Sequence, residues 1–203
     1  MAASSTRATA AWEADPPPRI DWISPSDIGD GRPGRIGMTV VPGKHGASIR
    51  YPGLVYRADL DGDLRALRAA GIARLVLLVE DDELARWSDA QIIERAAVHG
   101  VEVIRHPMPD GAPPASISAM DDILDAVDEA RGHGDVALAC MGGVGRTGTV
   151  AACALVRAGW QARAAIARVR AIRHPSAVET RAQERFVRSY WSERRAGSDT
   201  VSP

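Results

Sequence analysis

Short, continuous apolar runs alternate with segments of helical period along most of this chain. The runs at 74–79, 101–104 and 136–139 are apolar without alternation, the pattern of strands covered on both faces. Two further short strands are expected at 35–41 and 54–56. Between the runs the period lengthens. Asp61 can cap a helix over 63–70 that Gly71 ends, and Ser88-Asp89-Ala90-Gln91 reads as a capping box opening a helix that stops at His99-Gly100. Ser116 or Ser118 starts a helix with Ile117, Met120, Leu124 and Val127 on one face, closed by Gly132-His133-Gly134. Helices over 147–158, 161–172 and 179–194 complete the pattern. Strands alternating with helices predict an α/β fold, its mostly parallel central sheet flanked by helices, with ligands at the carboxyl ends of strands.

The two ends of the chain break this pattern. Residues 1–18, rich in Ala, Ser, Thr and Pro, and residues 196–203 are expected to be disordered tails, leaving one domain over 19–195. With 203 residues, 45% of them hydrophobic, that domain can bury one sizeable core. A net charge of −1 gives no reason to expect nucleic acid as a partner. No apolar run is long enough to cross a bilayer, and 1–14 lacks the continuous apolar core of a secretion signal, so no membrane association is expected. The two cysteines, Cys140 and Cys153, are too few for a disulfide scaffold and suit a reducing, cytoplasmic setting. His45, His99, His106, His133 and His174 share no metal-ligand spacing, so neither a metal nor another cofactor is expected. The oligomeric state is not legible.

The densest chemistry follows the run at 136–139. Cys140-Met141-Gly142-Gly143-Val144-Gly145-Arg146-Thr147 places a cysteine, a glycine-rich arc and an arginine between the central strand and the next helix. Glycines let successive backbone N–H groups turn inward as an anion-binding nest, and the helix start adds its positive dipole end. That field favours thiolate over thiol at Cys140, and Arg146 offers a planar fork matched to two phosphate oxygens. Two commoner glycine loops fail here. Gly143-Val144-Gly145-Arg146-Thr147-Gly148 is a GxGxxG, but no acid lies between Thr149 and Val178 to hold a ribose. A nucleotide-triphosphate loop needs Gly where Cys140 stands and Lys where Arg146 stands. The loop therefore reads as a phosphate cup, bounded by residues 141–146, with a nucleophile at its floor.

Cys-x5-Arg-Thr in this setting resembles the catalytic loop of the protein-tyrosine and dual-specificity phosphatase superfamily, most closely the branch of the cyclin-dependent-kinase-associated phosphatases. Three further segments are similar. Pro107-Met108-Pro109-Asp110-Gly111-Ala112-Pro113-Pro114 resembles the loop carrying the general acid, and Val178–Phe186 the segment whose glutamine positions the hydrolytic water; the region 60–84 resembles the helix and strand before them. The resemblance implies a hydrolase working through a phosphocysteine: Cys140 as nucleophile, Arg146 on the phosphate, Asp110 as acid and Gln183 on the water. Ala139 departs from the family, which usually has His immediately before the nucleophile to order the loop and keep the thiol ionised.

Each residue also has a plainer reading. Pro109-Asp110-Gly111 is an ordinary turn signature. Gln183, four positions from Glu179, can be part of a solvated helix face. Thr147 falls in the first turn of its helix, where its hydroxyl can donate to the Cys140 sulfur or satisfy its own backbone. Cys153, among alanines, reads as a small core residue, and Arg157, Arg163, Arg168, Arg170 and Arg173 as solvated helix faces. Superfamily members acting on inositol phosphates tend to carry lysines inside the loop, whereas Met141 and Val144 add no charge. That tilts the expectation toward a phosphorylated protein substrate, with a small-molecule or inositol phosphatase second. A non-catalytic phosphate reader, suggested by Ala139, is third.

Overall fold

The structure, a computed structural model, describes residues 15–49 and 51–199, and its architecture is the expected α/β layer arrangement. Five strands form the central sheet in the order β1 (Asp21–Ile23), β2 (Ile36–Val40), β7 (Val136–Cys140), β5 (Arg74–Leu77) and β6 (Glu102–Arg105). All neighbours run parallel except the antiparallel edge pair β1–β2. β7 is central and buried at every residue, as its unbroken apolar run requires. Its neighbours are in register, with Thr39 of β2 and Leu77 of β5 both opposite Ala139.

The helices α2 (Leu60–Ala69), α4 (Ile92–Val98), α5 (Ile117–Gly132), α6 (Gly145–Arg157), α7 (Ala162–Ile172) and α8 (Arg181–Asp199) follow the expected order. α6 is buried from Gly145 through Val156 and packs against both α7 and α8. A helix covered on all sides carries few charged residues, and the Ala-rich stretch after Thr149 reflects that.

Several local expectations are corrected. α2 begins at Leu60, so Asp59 is its cap, accepting from the Gly62 N–H at 3.1 Å, while Asp61 instead pairs with Arg95 and His99. The proposed box at Ser88 does not form. A helix unforeseen in the sequence, α3 (Asp81–Trp87), ends at Ser88, whose hydroxyl donates to the Pro42 carbonyl at 2.6 Å. The true box lies upstream: the Glu80 N–H donates to the Glu83 side chain at 3.1 Å at the start of α3. Also unforeseen are β1, the short α1 (Pro25–Ile28), and β3 (His45–Ala47), which pairs with β4 (Val55–Arg57) in a separate hairpin.

Of the two expected tails, 1–14 and 200–203 lie outside the described residues. Asp15 exchanges backbone and carboxylate hydrogen bonds with Arg57, and α8 continues to Asp199, beyond its expected end. Among the described residues no helix is long and apolar enough to cross a membrane.

Candidate active site

The parallel register brings the carboxyl ends of β5, β6 and β7 to one edge of the sheet, and a cleft of about 850 Å³ opens there. Cys140 is the last residue of β7 and lies at the floor of this cleft, 2% exposed. The chain then turns through Met141–Val144 into α6, whose N-cap, Val144, makes no side-chain capping bond. The first N–H groups of a helix left without a side-chain cap are the usual seat of an anion. Among the described residues, the N–H groups of Met141, Gly142, Gly143 and Val144 donate to no protein acceptor.

Arg173, the residue following α7, holds the loop in this conformation from behind. Its Nε donates to the Gly143 carbonyl at 2.9 Å and its Nη2 to the Gly142 carbonyl at 3.4 Å, while Asp21 of β1 anchors its Nη1 at 2.8 Å. A carbonyl and the N–H of the following residue point to opposite sides of one peptide plane. Drawing those two carbonyls outward therefore turns the Gly143 and Val144 amides inward. Gly143 itself has φ of +63°, and a Cβ there would fall 2.4 Å from the Thr39 carbonyl oxygen, so no other residue fits. Of the five arginines expected on solvated faces, Arg163 is exposed as expected, while the other four are paired. Arg157 binds Asp121, Asp125 and Asp128, Arg168 binds Asp27, and Arg170 binds Glu184 and the carbonyls of Ala177 and Val178.

Arg146 enters the cup almost completely buried, at 1% exposed. Glu83 grips it in a two-toothed pair at 2.6 and 2.8 Å, and the Met108 carbonyl accepts from Nη1 at 2.8 Å. Burial works against the guanidinium's charge, but the Glu83 hydrogen bonds and the negative charges of Cys140, Glu83 and Asp110 outweigh it and raise its pKa. Glu83 was missed in the sequence. Its signal was faint: an acid just past the carboxyl end of a buried strand, three residues after Glu80.

Asp110 reaches the same place. Its Oδ1 lies 3.1 Å from Arg146 Nη2, and its side chain is 79% exposed at the cleft. Two bonds fasten the loop that carries it to the start of α8. The Thr180 hydroxyl donates to the Gly111 carbonyl at 2.8 Å, and Gln183 Nε2 donates to the Ala112 carbonyl at 3.2 Å. Thr180 and Gln183 also form a reciprocal cap: the Gln183 N–H donates to Thr180 Oγ1, and Gln183 Oε1 accepts from the N–H groups of Glu179 and Thr180. Thr180-x-x-Gln183 is the T-x-x-Q spelling of that box and was legible, though unread, in the sequence. Val178 just before it adopts φ of +58°, a rare conformation for a β-branched residue, held by its N–H to the Val144 carbonyl and by Arg170.

Three residues need correction or relocation. Thr147 is fully buried, and its hydroxyl has no hydrogen-bond partner among the described residues, so the expected bond to Cys140 is not made. Gln183 is fully buried rather than on a solvated face, with its amide committed to backbone groups. Glu179, not Gln183, lines the cleft, and its carboxylate would lie 2.9 Å from a Cβ at Gly145. Cys153 is a core residue as expected, burial raising its thiol pKa well above the ordinary value. Ala139 is fully buried between β2 and β5.

Comparisons with known proteins follow this geometry. Residues 53–160 match the family described as Tc-R-P, polymorphic toxin system, DSP-PTPase phosphatase. Cyclin-dependent kinase inhibitor 3 of Rattus norvegicus is 23% identical over 140 residues, covering 69% of this chain and 62% of that protein. The Homo sapiens protein of the same name aligns over the same shares. The chain thus spans about three fifths of the length of these curated relatives. Among solved structures, Tk-PTP in its active form superposes with a TM-score of 0.62 and 30% identity over 78% of this chain and 92% of that one. Kinase associated phosphatase with serine in place of its catalytic site cysteine shares the fold, with a TM-score of 0.77 and 22% identity over 90% of this chain and 98% of that one.

Proposed function

Because the chain belongs to the DSP-PTPase phosphatase family of polymorphic toxin systems, we propose that it hydrolyses phosphate monoesters through Cys140, with a phosphorylated protein as its substrate. The observation that carries this reading is the convergence of Cys140, a loop of inward-facing amides, Arg146 and Asp110 on one cleft. Buried Arg146 Nε has no hydrogen-bond partner among the described residues, and a phosphate oxygen would supply one. Arg146 Nη2 is the second donor once Asp110 swings to the leaving group.

In the first step the Cys140 thiolate forms a bond to phosphorus as the bond from phosphorus to the leaving oxygen breaks, and Asp110 gives that oxygen its proton. The loop amides and Arg146 hold the equatorial oxygens as charge spreads over them, the dominant contribution in phosphoryl transfer. In the second step water attacks the phosphocysteine, Asp110 takes its proton, and Cys140 departs as thiolate with release of inorganic phosphate. Glu179 lines the cleft from which that water comes, and Gln183 holds the backbone of Glu179 and Thr180 in place. A reducing, cytoplasmic setting keeps Cys140 and Cys153, both free thiols, in this working state.

The phosphoprotein reading rests on the cations available. Among the described residues, Arg173 is committed to Asp21 and the loop, Arg19 to Asp21 and the Arg173 carbonyl, Lys44 lies 3.8 Å over the Tyr56 ring, and the cleft also presents Glu83, Asp110 and Glu179. Among the described residues, a polyphosphorylated small molecule would find there few positive charges not already paired with a protein group.

Hydrolysis of para-nitrophenyl phosphate by the purified chain, with and without Cys140→Ser, tests the proposal. The substitution should abolish turnover, by about 10⁴-fold or more, because a serine hydroxyl is not ionised near neutral pH. Binding of vanadate or phosphate should persist. Equal turnover by both proteins would overturn the covalent route, and no turnover by the wild type would favour the phosphate reader.

A further inference from the structure

We propose that the β3–β4 hairpin reads an apolar side chain adjacent to the phosphorylated residue of a protein substrate. The proposal rests on the phosphoprotein reading above and adds what selects among such substrates.

The apolar surface of the molecule is unevenly placed. Among the described residues, large hydrophobic side chains left exposed include Ile49 at 84%, Tyr51 at 48%, Leu54 at 45% and Val55 at 39%. All four lie on this one hairpin, and Ile93 and Val98 on α4 are the remaining two. Concentrated apolar exposure of this kind marks a binding surface, since scattered single residues are the norm. The hairpin also has no partner in the central sheet.

Its position gives the occupant. Ala47, Ile49 and Tyr51 line the same cleft as Cys140, Met141 and Gly145, so the apolar lip is continuous with the phosphate cup. A chain segment that seats its phosphate on the cup passes this lip within the next residues. A polyol phosphate would leave the lip against water, gaining nothing from it.

The hairpin's base is held firmly enough to present the lip. The Gly43 N–H donates to Asp63 at 2.8 Å, the Ser88 hydroxyl fixes Pro42, and a Cβ at Gly46 would fall 3.2 Å from the Trp87 ring. Trp87 ends α3, the helix that also carries Glu83 to Arg146, so hairpin and cup share a support.

The test measures binding of phosphopeptides to the full chain carrying Cys140→Ser, by fluorescence anisotropy. Matched peptides carry Leu or Ser on either side of phosphotyrosine, and a second set carries phosphothreonine. The Leu peptide of the better set should bind about tenfold more tightly, the scale expected for burying one aliphatic side chain. The double substitution Ile49→Ser, Tyr51→Ser, at the exposed positions that line the cleft, should reduce that ratio to below about twofold. Equal affinity for Leu and Ser peptides would overturn the proposal, as would a ratio unchanged by the double substitution. Tighter binding of an inositol polyphosphate than of either peptide would overturn it too. So would a concentration-dependent dimer, seen by sedimentation, that the same substitutions abolish, since the occupant would then be a second copy of the chain. Absence of para-nitrophenyl phosphate turnover by the wild type, with the Leu preference intact, would instead sink the hydrolytic reading and leave the hairpin assignment standing.

Discussion

The phosphate cup and the hairpin lip face one cleft but are secured in opposite ways. The cup is held from every side: Arg173 grips its carbonyls, Glu83 grips Arg146, and α6 behind it is buried. The hairpin is held at its base and leaves apolar side chains in the open. The difference separates two tasks. Chemistry at phosphorus is the same for every monoester and rewards a fixed geometry. Selection among proteins depends on what flanks the phosphate, and that contact lies on the least enclosed ribbon of the fold.

The largest effect, after loss of the nucleophile, is expected at Asp110. Asp110→Asn should slow alkyl phosphate hydrolysis by about 10² to 10⁴, the usual worth of a general acid, and slow activated aryl esters less. Equal losses on both would show that Asp110 is only a turn residue and would remove one wall of the cup from the comparison.

Arg173→Gln tests whether the cup is rigid because it is held from behind. The loop carbonyls lose their anchor while the nucleophile and Arg146 remain. The value of kcat/KM for para-nitrophenyl phosphate should fall by roughly 10²-fold, the effect of small misplacement in an oriented site. The preference for Leu over Ser peptides should survive, because the lip is rooted elsewhere. A loss of that preference together with rate would mean cup and lip are one unit.

The smallest effect concerns the hairpin's root. Burial pushes the Asp63 carboxyl up to about 6 from an ordinary 3.8, opposed by the Gly43 N–H and reinforced by Asp59 and Asp15. A pKa raised in the folded state means the native protein holds the proton more tightly than the unfolded chain. The charged form therefore costs stability above about pH 6, and that cost is relieved as the pH falls toward 3.8. Asp63→Asn should raise Tm by a few degrees at pH 7.5, and the difference from wild type should shrink as the pH falls to 5. A constant difference across that range would show that Asp63 stays ionised.

The parts of this molecule that the sequence disclosed are those whose cause is local. An unbroken apolar run can hardly be anything but a covered strand here, so β5 and β7 were legible, and the Cys140 loop was legible because Cys140 and Arg146 at that spacing exclude the commoner glycine loops. What escaped notice depends on partners far along the chain. Glu83 gains meaning only from Arg146, and Arg173 only from the carbonyls of Gly142 and Gly143. The capping error at Ser88 has the same origin: its hydroxyl satisfies Pro42, which no local rule could name. Thr147 erred in the other direction. Its position in the first turn was foreseen, but its hydroxyl does not make the bond that position suggested.

Two side chains join the acid loop to the last helix. Thr180 Oγ1 accepts the Gln183 N–H of α8 and donates to the Gly111 carbonyl, and Gln183 Nε2 donates to the Ala112 carbonyl, so the beginning of the helix and the residues after Asp110 share a two-residue pivot. Helix and loop are coupled through it. A nineteen-residue lever is attached to that pivot, its far end at Asp199 remote in sequence from the cup. A partner bound along α8 would have a hydrogen-bonded route to the acid loop through this pivot.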